Sequence, residues 1–159
     1  MLRVKNVEIQ SNSLKEIAEA SVKDAFNRCH LPVIVEDAGL FVDELNGFPG
    51  PYAAYVYKTI SNPGMLKLMA NVDDRKATFR SAIAYYDGQS EPVFFEGEAV
   101  GRIADDEIWG TLKTGFGFDP IFVPEGSKKT FAEMTIDEKN GFSHRANAIS
   151  KFTKWYKKI

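Results

Sequence analysis

LPVIVEDAGLFVDELNGFPGPYAAYVYKTI, residues 31–60, is the stretch on which the fold turns. A short apolar run, Val33-Ile34-Val35, stops at an adjacent acidic pair, Glu36-Asp37, and two small residues, Ala38 and Gly39, follow. A second apolar segment, Leu40-Phe41-Val42, then leads to a stiff loop, Gly47-Phe48-Pro49-Gly50-Pro51. A buried strand that delivers two carboxylates at its C-terminal end, with glycine just beyond, suits a Mg²⁺ site or a catalytic base. In open α/β sheets that edge is where ligands bind. The same residues also suit a solvated acidic turn capping a hairpin. The remainder of the chain weighs for the first.

Upstream, residues 5–9 alternate weakly around Val4 and Val7 and predict a short strand. Ser13-x-x-Glu16 is a capping-box pattern. Leu14, Ile17, Ala18, Ser21, Val22, Ala25, Phe26 and Cys29 then recur at steps of three and four, which predicts a helix with one buried face. The opening is therefore strand–helix–strand. Downstream, residues 52–60 suit a helix, and Asn62-Pro63 reads as a cap followed by proline in the first turn of another. Residues 77–86 and 92–103 are long alternating runs joined at Asp87-Gly88, the pattern of an antiparallel hairpin. The expected architecture is α/β: a mixed twisted sheet flanked by helices, with a long antiparallel hairpin and two lobes around a central cleft. It forms one continuous domain over residues 1–159.

Residues 104–114 read as loop. Gly115-Phe116-Gly117-Phe118-Asp119-Pro120 follows, then a short strand at 121–123. Alternating Gly and Phe let backbone approach a flat ligand while a ring lies on its face, and equally suit an aromatic-packed turn. Thr130-x-x-Glu133 and Thr135-x-x-Glu138 are capping boxes, and Ser143 caps a last helix packed through Ala148, Ile149, Phe152, Trp155, Tyr156 and Ile159. His144 and Arg145 fall in its first turn, where cations oppose the helix dipole unless an anion lies nearby. Lys151, Lys154, Lys157 and Lys158 suit a solvated face.

With 159 residues and 44% hydrophobic content, the chain can bury a substantial core. Twenty Lys and Arg against 22 Asp and Glu give a net charge of −2, which argues against a nucleic-acid or basic membrane surface but permits a small anionic substrate. Cys29 is the only cysteine, so no intrachain disulfide forms and a reducing cytoplasm is expected. Its place on the helical stripe makes it a core residue rather than a nucleophile. No run reaches the length of a membrane span, and no signal-peptide h-region is seen.

Three separated pieces, VEDAGLFVDELNGFPGPY, TGFGFDPIFVPEGSKKTFAEM and EKNGFSHRANAI, together resemble the inosine/xanthosine triphosphate pyrophosphatase family. The resemblance runs from about Val7 to the C-terminus. It implies hydrolysis of ITP, dITP and XTP to the nucleoside monophosphate and pyrophosphate, clearing non-standard purines from the nucleotide pool. It implies Mg²⁺ as cofactor and a homodimer. Asp37 would bind Mg²⁺ and accept the proton of the attacking water. Glu8, in Val7-Glu8-Ile9-Gln10, would be the second metal ligand, and the backbone of Ala38 would touch the substrate. Phe116, Gly117, Phe118 and Asp119 would lie along the nucleobase, with Lys139, His144 and Arg145 as further nucleotide contacts. Lys23 is similar in placement to a phosphate-side lysine.

One departure matters. The family opens with a strand, a Ser/Thr-x-Asn-x-x-Lys loop and a long helix that hold the triphosphate, whereas this sequence starts at what would be the second strand. An N-terminally truncated version of the fold is therefore expected. Of a start at an internal methionine, a shortened piece and a naturally abbreviated relative, the first is favoured. The departure also motivates an alternative, a weak or inactive nucleotide-binding relative. A third reading, a dimerisation module, rests on Tyr52, Tyr55, Tyr57 and the loop at residues 49–51.

Overall fold

The computed structural model describes residues 9–110 and 117–158. Helix α1 (Leu14–Cys29) begins where the capping pattern puts it, with the Ser13 hydroxyl accepting from the Glu16 amide at 3.3 Å. The reciprocal bond is replaced: the Glu16 carboxylate accepts from the Ser11 hydroxyl at 2.6 Å. Leu14, Ile17, Ala18, Ser21, Val22 and Ala25 are the buried face, as the spacing predicts, and Cys29 at the helix end is half-buried.

Strand β1 (Val33–Val42) is one unbroken strand of ten residues. The acidic pair therefore sits in its middle, not at its C-terminal end as the sequence suggests. Pairing explains the difference. β3 (Lys76–Tyr86) lies antiparallel along the whole of β1, from Val33 opposite Tyr86 to Val42 opposite Ala77. On the other side β2 (Pro49–Gly50) pairs with Phe41 and Leu40. Gly39 carries the strand through because a Cβ there would overlap the carbonyl oxygen of Gly50. β4 (Val93–Ile103) completes the long hairpin, and β5 (Phe122–Pro124) pairs with its end. The order is β2-β1-β3-β4-β5, with every pairing among the described residues antiparallel. Of the strand expected at residues 5–9 only Ile9 lies among the described residues, and it is exposed.

The hairpin loop, residues 87–92, is longer than Asp87-Gly88 alone. Gly88 has φ of 80°, and a Cβ there would overlap the Phe26 ring, so this glycine locks the loop onto α1. Helices α2 (Ala53–Thr59) and α3 (Ser61–Leu68) follow the Gly/Pro loop, separated by Ile60, and α3 opens on Ser61 at φ of 53°. Asn62 is not a cap. It is buried and donates through Nδ2 to Glu107 Oε1 at 2.9 Å, and Trp109 Nε1 donates to the same oxygen at 3.0 Å. The boxes at Thr130 and Thr135 both form, the second opening helix α4 (Ile136–Asn140). Ser143 caps helix α5 (His144–Tyr156).

Period-two alternation gives the sheet two apolar faces. On one, Leu40, Val42, Ala77 and Phe79 meet Val56, Met65, Ile121, Phe122 and Phe131. On the other, Ala82 and Ala84 meet Leu14, Ala18 and Val22 of α1, with Val33, Val35 and Phe41 against them. These are the α/β layers expected, helices flanking one twisted sheet. Helix α5 packs on the first face and also closes the open edge of β4. Its Lys151 Nζ donates to the Glu96 carbonyl at 2.7 Å and Asn147 Nδ2 to that of Glu98 at 3.1 Å. Among the described residues no helix is long and apolar enough to cross a membrane.

Candidate active site

Because β1 is continuous, its two adjacent carboxylates leave on opposite faces of the sheet. Glu36 shares a face with Ser81 and helix α5: Ser81 Oγ donates to Glu36 Oε1 at 2.8 Å, and Arg145 Nε donates to the same oxygen at 2.7 Å. Asp37 falls on the other face with Val35 and Phe41, half-buried and directly opposite Ala82. Its neighbours on the strands, Ala38, Gly39 and Ala82, are small, and its Oδ2 is buried.

On the α5 face a groove of about 690 Å³ is lined by residues including Ile34, Glu36, Ile83, Lys139, Arg145 and Ile149. Its floor is apolar and its rim is the Glu36–Arg145 pair. At one end Lys139 Nζ bonds Asp119 Oδ2 at 2.5 Å and lies 5.2 Å over the Phe131 ring. Asp119 is buried, held in a tight helical turn (Asp119–Ile121). A buried pair of this kind ties α4 to that turn more than it adds net stability.

His144 differs from its sequence expectation. It is 5% exposed and stacks on Phe79 at 4.9 Å and 7° between planes, and Phe79 stacks in turn on Phe131 at 6.0 Å. Burial first, then Arg145 and Lys139, push its pKa down from 6.5 to about 3. His144 is thus a neutral imidazole at physiological pH, and its Nδ1 is buried without a hydrogen bond. The dipole conflict foreseen for a cation at this helix start does not arise for it.

The structure brings together Asp119, Lys139, His144 and Arg145 in one cluster and sets Asp37 on the opposite face of the sheet. Ala38 lies between them on β1, which β2 covers only at Leu40 and Phe41. Phe118 is 2% exposed and packs edge-on against Tyr57 at 5.5 Å, so it braces the Asp119 turn instead of offering a face to a ligand. Gly117 has φ of 59° with open space at its Cβ position. Glu8 and Phe116 lie outside the described residues. Lys23 is held by Glu19 at 2.7 Å and Glu91 at 3.3 Å. Sequence reasoning did not foresee the bond between Glu36 and Arg145. The strand alternation that separates Glu36 from Asp37 was the available signal, hidden by ending the strand too early.

Among the described residues no group of three or more His, Cys, Asp or Glu gathers around one point. A hard cation such as Mg²⁺ is usually held by one or two carboxylates together with water and substrate phosphate oxygens. Asp37 would be the carboxylate to hold it among the described residues.

The site is thus an open α/β sheet with two ion pairs, Lys139–Asp119 and Arg145–Glu36, beside an apolar groove, and an acid on the opposite face of the strand. The chain belongs to the Ham1 family, which residues 2–155 match. It is 49% identical to the dITP/XTP pyrophosphatase of Methanopyrus kandleri over 150 residues, 94% of this chain and 78% of that protein. It is likewise 49% identical to the dITP/XTP pyrophosphatase of Thermococcus kodakarensis over 98% of this chain and 82% of that one. The Staphylococcus aureus Ham1 protein has the same fold, with a TM-score of 0.87 at 32% identity, covering 97% of this chain and 81% of the other.

Proposed function

We propose that this chain, acting as one domain over its 159 residues, hydrolyses dITP, XTP and ITP to the nucleoside monophosphate and pyrophosphate. The observation that carries the reading is the 49% identity to dITP/XTP pyrophosphatases over nearly the whole chain. The groove of about 690 Å³ lined by Lys139 and Arg145, with Asp119 bonded to Lys139 behind it, supports it.

In this reading the nucleotide bridges the part of β1 that no described strand covers on the β2 side. The base meets the α5 face and the phosphates reach the Asp37 face, with Ala38 between. Asp37, with Glu8, would hold Mg²⁺, which when bound offsets charge on the phosphates and on the departing pyrophosphate. Asp37 orients the water and takes its proton as oxygen attacks the α-phosphorus. Lys139 and Arg145 donate toward a 6-keto purine. Adenine would leave those donors facing an amino group, a mismatch of several kcal/mol by the cost of unpaired buried polar groups.

Asp37→Asn, nearly isosteric, should lower turnover by at least ~10²-fold with unchanged melting temperature. Retained pyrophosphate release in that variant would overturn the assignment. Absence of Mg²⁺-dependent release by the wild-type chain would instead favour the weak or inactive binding relative. Cys29, a free thiol, accords with a reducing cytoplasm.

A homodimer belongs to the same reading. Tyr55 is 69% exposed, Phe48 40% and Tyr52 39%, all in or just after the Gly/Pro loop in the chain, whereas Tyr57 is turned inward against Phe118. Aromatic residues are enriched at protein interfaces. Sedimentation at micromolar concentration should give twice the chain mass; a monomer would contradict this.

A further inference from the structure

We propose that Glu36 is the positioning residue for Arg145, and so a determinant of purine selectivity separate from the chemistry at Asp37. The inference rests on the function proposed above. Glu36 lies on the Arg145 side of the sheet, facing away from Asp37, and its contacts are made with binding groups. One oxygen, Oε1, accepts both the Arg145 Nε–H at 2.7 Å and the Ser81 hydroxyl at 2.8 Å. Ser81 is buried at 2% exposure in the central strand β3, so the carboxylate is tied to the buried middle of the sheet.

The grip is on Nε, the guanidinium nitrogen nearest the aliphatic stem. A bond there sets the plane of the guanidinium and the direction in which its terminal amino groups point. Arg145 is itself half exposed, with 50% of its side chain accessible, so a bond to a fixed carboxylate narrows the rotamers open to it. Ser81 sets Glu36, Glu36 sets Arg145, and Arg145 meets the base at the groove rim. The two halves of the acidic pair thus do different work on opposite faces of one strand.

A double-mutant cycle on the full chain tests this, using Glu36→Gln, Arg145→Gln and the double variant against dITP and dATP. Glu36→Gln should raise KM for dITP about tenfold with kcat within about threefold, and should narrow the dITP-over-dATP preference. In the Arg145→Gln background the same change should do nothing further. Ser81→Ala should give a smaller KM effect of the same kind, about two- to threefold. Equilibrium binding of dIMP, which needs no turnover, should reproduce the non-additivity. Additive effects in the cycle, or a fall in kcat at constant KM, would overturn the inference while leaving the proposed function standing. A wild-type chain that neither binds dIMP nor hydrolyses dITP would remove both.

Discussion

His144 shows how far one side chain's chemistry can depart from its sequence label. Written beside Arg145 in a helix start, it reads as half of a cationic pair; in the fold it is a neutral ring on an aromatic column. Its pKa falls from 6.5 to about 3, so below pH 6.5 the unfolded chain takes up a proton that the native state refuses. Stability from this residue is complete above pH 6.5 and lost progressively as pH falls from 6.5 towards about 3. One pKa unit is about 1.4 kcal/mol, so acidification from pH 7 to 5 should cost on the order of 2 kcal/mol through this group. His144→Phe keeps the ring stack and removes the titration. Denaturant unfolding of the two proteins should therefore show a gap that changes by that amount between pH 7 and 5; parallel pH profiles would refute the account. The residues of the cluster were legible in the sequence because their motif carries them. The burial that sets this protonation state was not, since it depends on Phe79 and Phe131, 65 and 13 residues away in the chain.

Among the elements, α5 is the one on which the candidate site most depends, and its seat is a glycine. A Cβ on Gly97 of β4 would overlap the carbonyl oxygen of His144 and lie 2.6 Å from the amide nitrogen of Ala148, so the helix backbone rests directly on the strand. Gly97→Ala must lift the first turn of α5 and carry His144 and Arg145 with it. Overpacking of this kind costs about 1–3 kcal/mol. We expect that loss in denaturant unfolding, together with a larger change in KM for dITP than in kcat; a variant as stable as wild type would show that the helix is not seated on the glycine. Helices and their starts were readable in advance, because caps are local: Ser13, Thr130, Thr135 and Ser143 all bond within three residues. The extent of β1 was not. Ala38-Gly39 looks like a break from local propensity, and only pairing with β3 and β2 makes it strand. Asn62 misled in the same way, a good cap residue taken into the interior by Glu107.

Across the whole molecule, the two apolar cores are not independent units. Strand β3 gives Ala77 and Phe79 to one and Ala82 and Ala84 to the other, and β1 likewise faces both. If the helices on either face separate, the sheet loses the backing that holds its shared strands flat against the opposite core. The chain should therefore unfold in a single cooperative step. Two probes on opposite faces can check this. Trp155 sits in an aromatic cluster with Tyr85, Phe95 and Phe152 on the α5 side, 5.4 Å from Tyr85 and 5.3 Å from Phe95. Cys29 lies at the end of α1 on the other side, half-buried, its thiol 3.6 Å from the Leu31 carbonyl. In a Trp109→Phe background, indole emission reports on Trp155 alone, since the chain has two tryptophans. Thiol labelling of Cys29 reports on α1. Both signals should share one denaturant midpoint within error, and separate midpoints would mean that α1 peels away while the α5 face and its candidate site stay folded.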